Sequence, residues 1–261
     1  MKKEIRAYSV LGNIAIVNFP DSFNSKDKKK FAEKILKDNK SIKTVLEKTG
    51  FFKGRLRKMQ TKHVLGEKTK EVLYKESNCC FRFNLDETYF SPRLSGERKE
   101  IASLIKSNQE VLVMFAGVAP FSIVIAKNSL AKKVYSNEIN QKANKYARLN
   151  LELNKLQNKI ELVSGDASKL PNKLNKKFDV IVMPRPQLKD SFLDTAFKFS
   201  KKGAVIYYYD FCLDTEIDKI IEKIKKQAKD SKKKIKILNS KRAGGYLSPG
   251  KIRLRVDFQV V

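Results

Sequence analysis

The stretch that decides the fold of this chain is Val111-Leu-Val-Met-Phe-Ala-Gly-Val-Ala-Pro-Phe-Ser122. An apolar run ends at Phe115, small residues form a turn at Ala116 and Gly117, and a helical pattern begins near Pro120. A strand that enters a helix through such a turn places backbone N–H groups at the carboxyl edge of a sheet, where open α/β sheets bind nucleotides. Gly117 is the only glycine of a G-x-G-x-x-G motif that is present, so a dinucleotide is disfavoured.

A carboxylate stands at the end of the next short apolar run, Val134-Tyr-Ser-Asn-Glu-Ile-Asn140. This carboxylate, Glu138, follows the glycine turn by about 20 residues, the separation at which an acidic side chain accepts hydrogen bonds from ribose hydroxyls. We therefore expect Glu138 to hold the ribose of a nucleotide-like ligand.

Strand-like and helical patterns alternate through the rest of the chain. Strand-like runs cover 111–115, 133–137, 160–163, 178–183 and 203–208, and helical patterns cover 99–105, 120–128, 141–154, 190–199 and 214–228. This alternation predicts a mostly parallel, doubly wound α/β sheet. The strictly alternating stretch Ile252–Phe258 predicts a late antiparallel strand. The lysine-rich stretch Lys223–Lys236 is typical of a solvated helix face followed by a loop.

The first third of the chain has the pattern of a small α+β unit. Its predicted elements are a strand over Tyr8–Phe19 broken at Gly12-Asn13, a helix over Asp27–Leu36 with Ser25 as N-cap, a strand over Ile42–Val45, and strand-like segments at Val72–Tyr74 and Phe81–Phe83. We expect residues 1–82 to form this small domain and residues 83–261 to form the larger α/β domain.

The charge of the chain is strongly positive, because 56 Lys and Arg residues stand against 28 Asp and Glu residues, for a net charge of +28. Clustered Lys and Arg supply sequence-independent affinity for phosphates, so nucleic acid is the favoured partner. A membrane surface and a merely solvated lysine surface are the weaker alternatives. No run of about 18 apolar residues and no apolar signal region is present in the sequence.

Cysteine and histidine are scarce. The three cysteines are Cys79, Cys80 and Cys212, a spacing that fits reduced cytosolic thiols and neither a disulfide framework nor a zinc site. The single histidine is His63, so the sequence offers few side chains for a metal cluster or a Ser-His-Asp triad. Acid–base chemistry therefore falls to carboxylates, Tyr, Lys or Arg.

One further stretch combines a carboxylate with arginines and a tyrosine: Tyr89-Phe-Ser-Pro-Arg-Leu-Ser-Gly-Glu-Arg98. Pro92 disfavours helix at the residue before it. If a helix starts after Pro92, Arg93 and Glu97 share a face and Arg98 lies beside them, so a carboxylate lies between two guanidiniums. This pattern indicates either a surface ion-pair cluster or a general base flanked by arginines that bind phosphate or substrate.

Four segments together resemble the archaeal and eukaryal tRNA guanine-37 N1-methyltransferase family. They are Gly54-Arg-Leu-Arg57, Tyr89–Arg98, Met114-Phe-Ala-Gly-Val-Ala-Pro-Phe121, and Asn137-Glu-Ile-Asn140 with Gly165-Asp166. The resemblance implies a Rossmann-like class I methyltransferase sheet, S-adenosylmethionine as cofactor, and a small N-terminal domain that binds tRNA. The family usually carries a further N-terminal domain that touches the outer corner of tRNA, and this chain is expected to begin at the middle domain.

The chemistry of guanine N1 methylation gives these residues tasks. A base must remove the N1 proton while a cation stabilises the negative charge that grows on O6. In the family, Glu97 matches the base, Arg57 matches the arginine at O6, and Arg93 and Tyr89 complete the catalytic set. The resemblance assigns cofactor binding to Phe115, Gly117, Glu138, Ile139, Asp166 and Pro186, and substrate binding to Arg55, Arg98 and Arg185. Asp166 alone would equally fit a helix N-cap.

Three positions depart from the family pattern. Val113 replaces a common aspartate, Ala119 replaces a second glycine, and Pro184 replaces an asparagine that can orient the guanine. Pro184 has neither an N–H nor an amide side chain, so it cannot repeat that hydrogen bond, and Arg185 is the expected substitute.

The resemblance implies methyl transfer to N1 of guanine 37 in the tRNA anticodon loop. Some relatives also methylate carbon 7 of the tricyclic wyosine precursor, which is a second expected substrate. The alternatives are the related aminocarboxypropyl transferase of wybutosine synthesis and a non-catalytic RNA-binding protein on the same fold. We expect a cytoplasmic monomer that binds neither metal nor membrane.

Overall fold

A computed structural model describes residues 7–50 and 59–261. The chain forms two compact units, Met1–Phe90 and Ser91–Val261. Residues 83–90 group with the first unit because the ring of Phe90 packs against Phe83, Phe81 and Tyr74, with centroids 4.6, 5.6 and 5.0 Å away. The functional boundary that we expect after residue 82 stays a prediction.

The described part of the first unit contains one helix and six strands: β1 (Ser9–Leu11), β2 (Ile14–Val17), α1 (Ser25–Asp38), β3 (Thr44–Lys48), β4 (Thr61–Gly66), β5 (Glu71–Glu76) and β6 (Cys79–Asn84). The first four strands form a sheet in the order β1-β2-β3-β4, and β5 pairs with β6 as a hairpin. The α+β unit and the break at Gly12-Asn13 are confirmed. The polar strand β4, which carries His63, has no clear apolar alternation and was not predicted.

The N-cap of α1 is Asn24 and not Ser25, so that prediction is wrong. The Asn24 side chain accepts a hydrogen bond from the Asp27 N–H at 3.0 Å, and the Asp27 carboxylate accepts from the Asn24 N–H at 3.2 Å. This reciprocal capping box satisfies two backbone donors, whereas Ser25 is already the first helical residue.

The second unit is an α/β sheet covered by helices. Its elements are α2 (Ser95–Leu104), β7 (Glu110–Met114), α3 (Pro120–Asn128), β8 (Lys133–Glu138), α4 (Gln141–Asn154), β9 (Ile160–Ser164), β10 (Phe178–Met183), α5 (Leu193–Phe199), β11 (Ser200–Leu213), α6 (Ile217–Asp230), β12 (Ile235–Arg242) and β13 (Lys251–Val260). A 3₁₀ turn, Pro92–Leu94, precedes α2.

The strand order is β12-β13-β11-β10-β7-β8-β9. The strands β7 to β11 are parallel, and β13 runs antiparallel between β11 and β12, so the doubly wound sheet and the late antiparallel strand are confirmed. The chain winds outward from β7 through β8 to β9 and then returns to the other side of β7 as β10. Ligands of open α/β sheets bind at this reversal, beyond the carboxyl ends of the strands.

On the far side of the sheet, one feature differs from expectation and a second was not anticipated. The lysine-rich stretch Lys223–Lys236 ends in the strand β12, because Ile235 and Ile237 pack against the apolar core while Lys236 between them is exposed. In β13, the apolar residues from Ile252 to Val260 line that core, and the intervening Arg253, Arg255 and Asp257 are buried on the other face. Because both faces of β13 are covered, its charged side chains are buried inside the unit.

None of the helices in the described ranges is both long enough and apolar enough to cross a membrane.

Candidate active site

The turn after β7 is built from left-handed backbone. Phe115, Gly117 and Ala119 have φ angles of 59°, 59° and 66°. Glycine adopts this region at little cost, whereas Phe115 and Ala119 each carry a steric penalty of roughly 1–2 kcal/mol. The family's glycine at position 119 therefore has a physical reason. Such strain persists only where the surroundings hold it, and it is typical of ligand-binding turns.

Glu138 holds this turn closed. One carboxylate oxygen accepts the Gly117 N–H at 2.7 Å, and the other accepts the Asn140 N–H at 2.7 Å. The acidic residue after the next strand thus lies in direct contact with the glycine turn, and its role toward a ribose stays a prediction. A carboxylate has about four lone-pair directions, so it can accept from ribose hydroxyls while it holds both backbone groups.

Two buried asparagines of α4 brace the same edge, and sequence reasoning missed them. Asn144 donates to the Glu138 carbonyl oxygen at 2.9 Å, and Asn150 donates to the Val118 carbonyl oxygen at 3.1 Å. The Asn144 side-chain oxygen is buried without a hydrogen-bond partner. The signal was available, because asparagines recur on the face of α4 that also carries its buried apolar residues.

The remaining residues proposed for the cofactor lie at neighbouring strand ends. Asp166 follows β9, and its carboxylate accepts from the Ser168 N–H at 3.0 Å as the N-cap of a short 3₁₀ helix, Ala167–Asn172. The N-cap alternative for Asp166 is thus realised. Phe115 packs its ring against Phe192 at 5.1 Å. Ile139 follows β8, Pro186 follows β10, and both are half-buried.

Glu97 lies in a buried ionic network that joins α2 to β11, β12 and β13. One Glu97 oxygen, Oε2, accepts from Arg255 at 2.8 Å and from the Tyr209 hydroxyl at 3.1 Å. The other oxygen, Oε1, lies 3.7 Å from the Lys241 ammonium nitrogen. Glu97 is only 6% exposed and Arg255 only 1%. Sequence reasoning missed Arg255 and Tyr209, which are more than 100 residues away along the chain.

Arg255 is shared among three carboxylates. It also binds Glu100 at 2.7 Å and Asp257 at 2.8 Å, while Lys241 binds Glu100 at 2.6 Å. Among the described residues, this network contains three carboxylates and two cations. If all five groups are charged, one negative charge is left in excess. Burial alone would raise the pKa of Glu100, but hydrogen bonds from Lys241 and Arg255 outweigh it and leave that pKa below its ordinary value.

Burial also raises the pKa of two other groups in this network, and for them it is not outweighed. Desolvation, followed by the charge of Glu97, raises the pKa of the Tyr209 hydroxyl well above its ordinary value, so Tyr209 stays a hydrogen-bond donor to Glu97. Desolvation also raises the pKa of Asp257, although Arg255 opposes this. The network therefore holds Glu97 in one fixed orientation.

Arg93 and Arg98 do not flank Glu97 as the helical spacing predicted. Arg93 lies in the 3₁₀ turn before α2 and is exposed. Arg98 is buried, donates to the Ser91 carbonyl oxygen at 3.0 Å, and places its guanidinium carbon 5.8 Å from the centre of the Phe121 ring. The start of α2 is not a regular helical turn, so four-residue spacing does not bring the two side chains together.

Arg185 has a structural task. It is 1% exposed, binds Asp210 at 2.6 Å, and donates to the carbonyl oxygens of Leu188 and Asp190, both at 2.6 Å. The guanidinium thus ties the loop after β10 to the end of β11. These contacts give no support to a direct role for Arg185 in substrate binding.

Three other predicted site residues belong to the first unit. Arg55 and Arg57 lie outside the described residues. Tyr89 is half-buried near the end of that unit, and its catalytic role stays a prediction.

Comparison with known proteins identifies the family. The family model of the TRM5/TYW2 methyltransferase domain matches residues 72–238, and that of the TYW2 N-terminal domain matches residues 1–69. The tRNA (guanine(37)-N(1))-methyltransferase Trm5b of Pyrococcus abyssi is 31% identical over 257 residues, which cover 97% of this chain and 74% of that protein. The tRNA (guanine(37)-N(1))/4-demethylwyosine(37)-methyltransferase Taw22 of Nanoarchaeum equitans is 35% identical over 84% of this chain and 71% of that protein.

Solved structures agree with these relatives. The crystal structure of the Pyrococcus abyssi Trm5b has a TM-score of 0.84 at 29% identity and covers 98% of this chain and 75% of that one. The complex of aTrm5 with tRNALeu has a TM-score of 0.82 at 29% identity and covers 98% and 72%. The sheet order, the glycine turn held by Glu138, and these matches along almost the whole sequence confirm the resemblance that the motifs indicated: the chain belongs to the TRM5/TYW2 methyltransferase family.

Proposed function

We propose that this chain transfers the methyl group of S-adenosylmethionine to N1 of guanine 37 in the anticodon loop of tRNA. The observation that carries the proposal is the position of Glu97 relative to the glycine turn. Tyr209 donates to Glu97 and packs its ring 5.9 Å from that of Phe121, the second residue of the helix that follows the turn. A buried carboxylate is thus connected through one side chain to the edge where the cofactor is expected.

Glu97 Oε1 is the atom that we propose accepts the N1 proton. Oε2 is engaged by Arg255 and Tyr209, whereas Lys241 faces Oε1 at 3.7 Å, beyond hydrogen-bond distance. Oε1 is therefore the oxygen of Glu97 that has no hydrogen-bond donor among the described residues. Arg57 is proposed, from the resemblance alone, to stabilise the charge on guanine O6.

The residues at the strand ends fit S-adenosylmethionine, which supplies the electrophilic methyl group when bound. We propose that Glu138 accepts hydrogen bonds from the ribose hydroxyls and that Asp166 accepts from the adenine amino group. Phe115, Ile139 and Pro186 would provide apolar contact. The strained turn and the orphaned oxygen of Asn144 beside Glu138 support a ligand at this edge.

The net charge of +28 supports an RNA substrate. The relative from Nanoarchaeum equitans is named for two activities, which favours the wyosine precursor as a second methyl acceptor. The match of residues 1–69 to the TYW2 N-terminal domain keeps aminocarboxypropyl transfer as the competing activity. We propose a cytoplasmic monomer that uses no metal.

Incubation with S-adenosylmethionine and an unmodified tRNA transcript, followed by nucleoside mass spectrometry, tests the proposal. The expected product is 1-methylguanosine, which should be absent from a matched transcript with adenosine at position 37. An aminocarboxypropyl adduct would establish the competing activity. No transfer to any tRNA that the protein binds would overturn the enzymatic proposal.

Glu138→Ala is expected to weaken S-adenosylmethionine binding. Each charge-assisted hydrogen bond to a ribose hydroxyl that is lost should cost about 1.5–3 kcal/mol in isothermal titration calorimetry. Glu152→Ala, an exposed change on α4, is the control and should bind like wild type. Because Glu138 also closes the glycine turn, thermal unfolding of the variant must be measured in parallel. Unchanged affinity would remove Glu138 from the cofactor site.

A further inference from the structure

The hairpin formed by β12 and β13 reaches the edge of the sheet at which the parallel strands have their carboxyl ends. Leu213 at the carboxyl end of β11 pairs with Lys251, the first residue of β13, and the Asp214 N–H donates to the Gly250 carbonyl oxygen at 2.9 Å. Lys251 also lies 3.3 Å from the Gln187 side chain in the loop after β10. The hairpin tip, residues 243–250, therefore stands beside the loops that end the parallel strands.

The same tip touches the segment that leads into α2. A Cβ atom on Gly244 would lie 3.2 Å from the Arg93 carbonyl oxygen, so the two backbones are in close contact. Gly244 has a φ of 77°, which glycine adopts without the strain that other residues incur. The exposed Arg93, four residues before Glu97, is thereby held next to the tip.

The shape of the tip is defined by its own hydrogen bonds. The Leu247 N–H donates to the Lys251 carbonyl oxygen at 2.9 Å, and the Lys251 N–H donates back to Ser248 at 3.0 Å. Gly250 adopts a φ of 67° at the return into β13. An ordered turn can present a side chain in a fixed orientation at little further entropic cost.

That side chain is Tyr246. It is 50% exposed, although the guanidinium of Arg242 lies over its ring at 4.4 Å from the centroid and its hydroxyl lies 3.5 Å from the Asp214 carboxylate. These two contacts orient an exposed ring. Together Tyr246, Arg242 and Arg93 combine an aromatic surface with two cations.

We propose that Tyr246 and Arg242 form a stacking platform for an unpaired base that neighbours the methylated guanine in the RNA loop. Proteins that read single-stranded RNA stack splayed bases on aromatic rings and guanidinium planes. Arg93 and Lys251 beside the platform supply charge for the adjoining phosphates. This inference rests on the proposed function and adds a second point of contact with the same loop.

The test measures binding of a synthetic anticodon stem-loop RNA to the full chain, together with single-turnover methyl transfer. Tyr246→Ala should bind the RNA about 5- to 100-fold more weakly, the loss expected for one base–aromatic stack. Tyr246→Phe keeps the ring and should stay within about twofold of wild type. Leu238→Ala, an equally exposed apolar change on β12 at 48% exposure, is the control for a general effect on the hairpin.

Abasic substitution of single loop nucleotides locates the stacked base. Removal of the base on one side of guanine 37 should weaken binding to wild type but not to Tyr246→Ala, because both changes remove the same contact. If Tyr246→Ala binds like wild type, or if every abasic RNA weakens both proteins equally, the platform does not exist. If wild type itself neither binds nor methylates the stem-loop, the failure lies with the proposed function.

Discussion

Replacement of Glu97 by glutamine is expected to slow single-turnover methyl transfer to tRNA by about 10²–10⁴-fold, while S-adenosylmethionine binding is retained. Glutamine keeps the shape of the side chain and can still accept the Tyr209 hydroxyl hydrogen bond, but it cannot take up the N1 proton. A general base acts only in its unprotonated form, so the wild-type profile should contain a limb that rises with pH, and the variant should lose that limb.

Glu100→Gln is the matched control for this experiment. Glu100 lies on the same helix as Glu97. It binds Arg255 and Lys241, the two cations that also lie beside Glu97. The control therefore removes one negative charge from the network without removing the proposed base, and its rate should fall by less than about tenfold. If both variants slow equally, charge in the network matters and Glu97 has no special role. A Glu97→Gln variant with a near-wild-type rate and pH profile would show that the proton goes elsewhere.

Arg255→Met should lower the free energy of unfolding by about 3–5 kcal/mol, the usual cost when one partner of a buried ion pair is removed. Methionine preserves much of the apolar volume, so the loss reports the charge. Glu97 and Asp257 are both buried, and both would lose their guanidinium partner. Urea unfolding followed by circular dichroism measures the difference.

At acid pH, the difference in unfolding free energy between the wild type and Arg255→Met should become smaller. The pKa of Glu100 is lowered in the folded wild type, so its interactions add stability above its unfolded pKa, and this stability is lost as the pH falls below about 4. Arg148→Met, an exposed change on α4, is the control and should shift stability by no more than about 0.5 kcal/mol. If Arg255→Met is as stable as this control, the network contributes no net stability and its role is confined to the orientation of Glu97.

The two experiments separate orientation from proton transfer. An Arg255→Met protein that still folds should slow methyl transfer because Glu97 loses the contact that fixes Oε2. Its pH profile should keep the rising limb, which the Glu97→Gln variant loses. This contrast distinguishes a residue that positions the base from the base itself.

The sequence by itself determined the fold and the cofactor edge. The glycine turn, the apolar runs and the acidic residue at position 138 are local patterns with fixed periods, and their meaning depends on neighbours within about 20 residues. The position of Glu138 at a strand end beside the glycine turn was therefore predictable. The weak strands β4 and β12 were not, because their apolar alternation is interrupted by charged and polar residues.

The surroundings of Glu97 were decided only by the tertiary structure. Local spacing pointed to Arg93 and Arg98, whereas the sheet brought Arg255 and Tyr209 to the carboxylate. In an isolated alternating strand, Arg255 reads as a solvent-facing residue of β13. It is buried because α2, which carries Glu97 and Glu100, lies against that face of the sheet. A buried guanidinium needs carboxylate partners, and these come from wherever the fold places them.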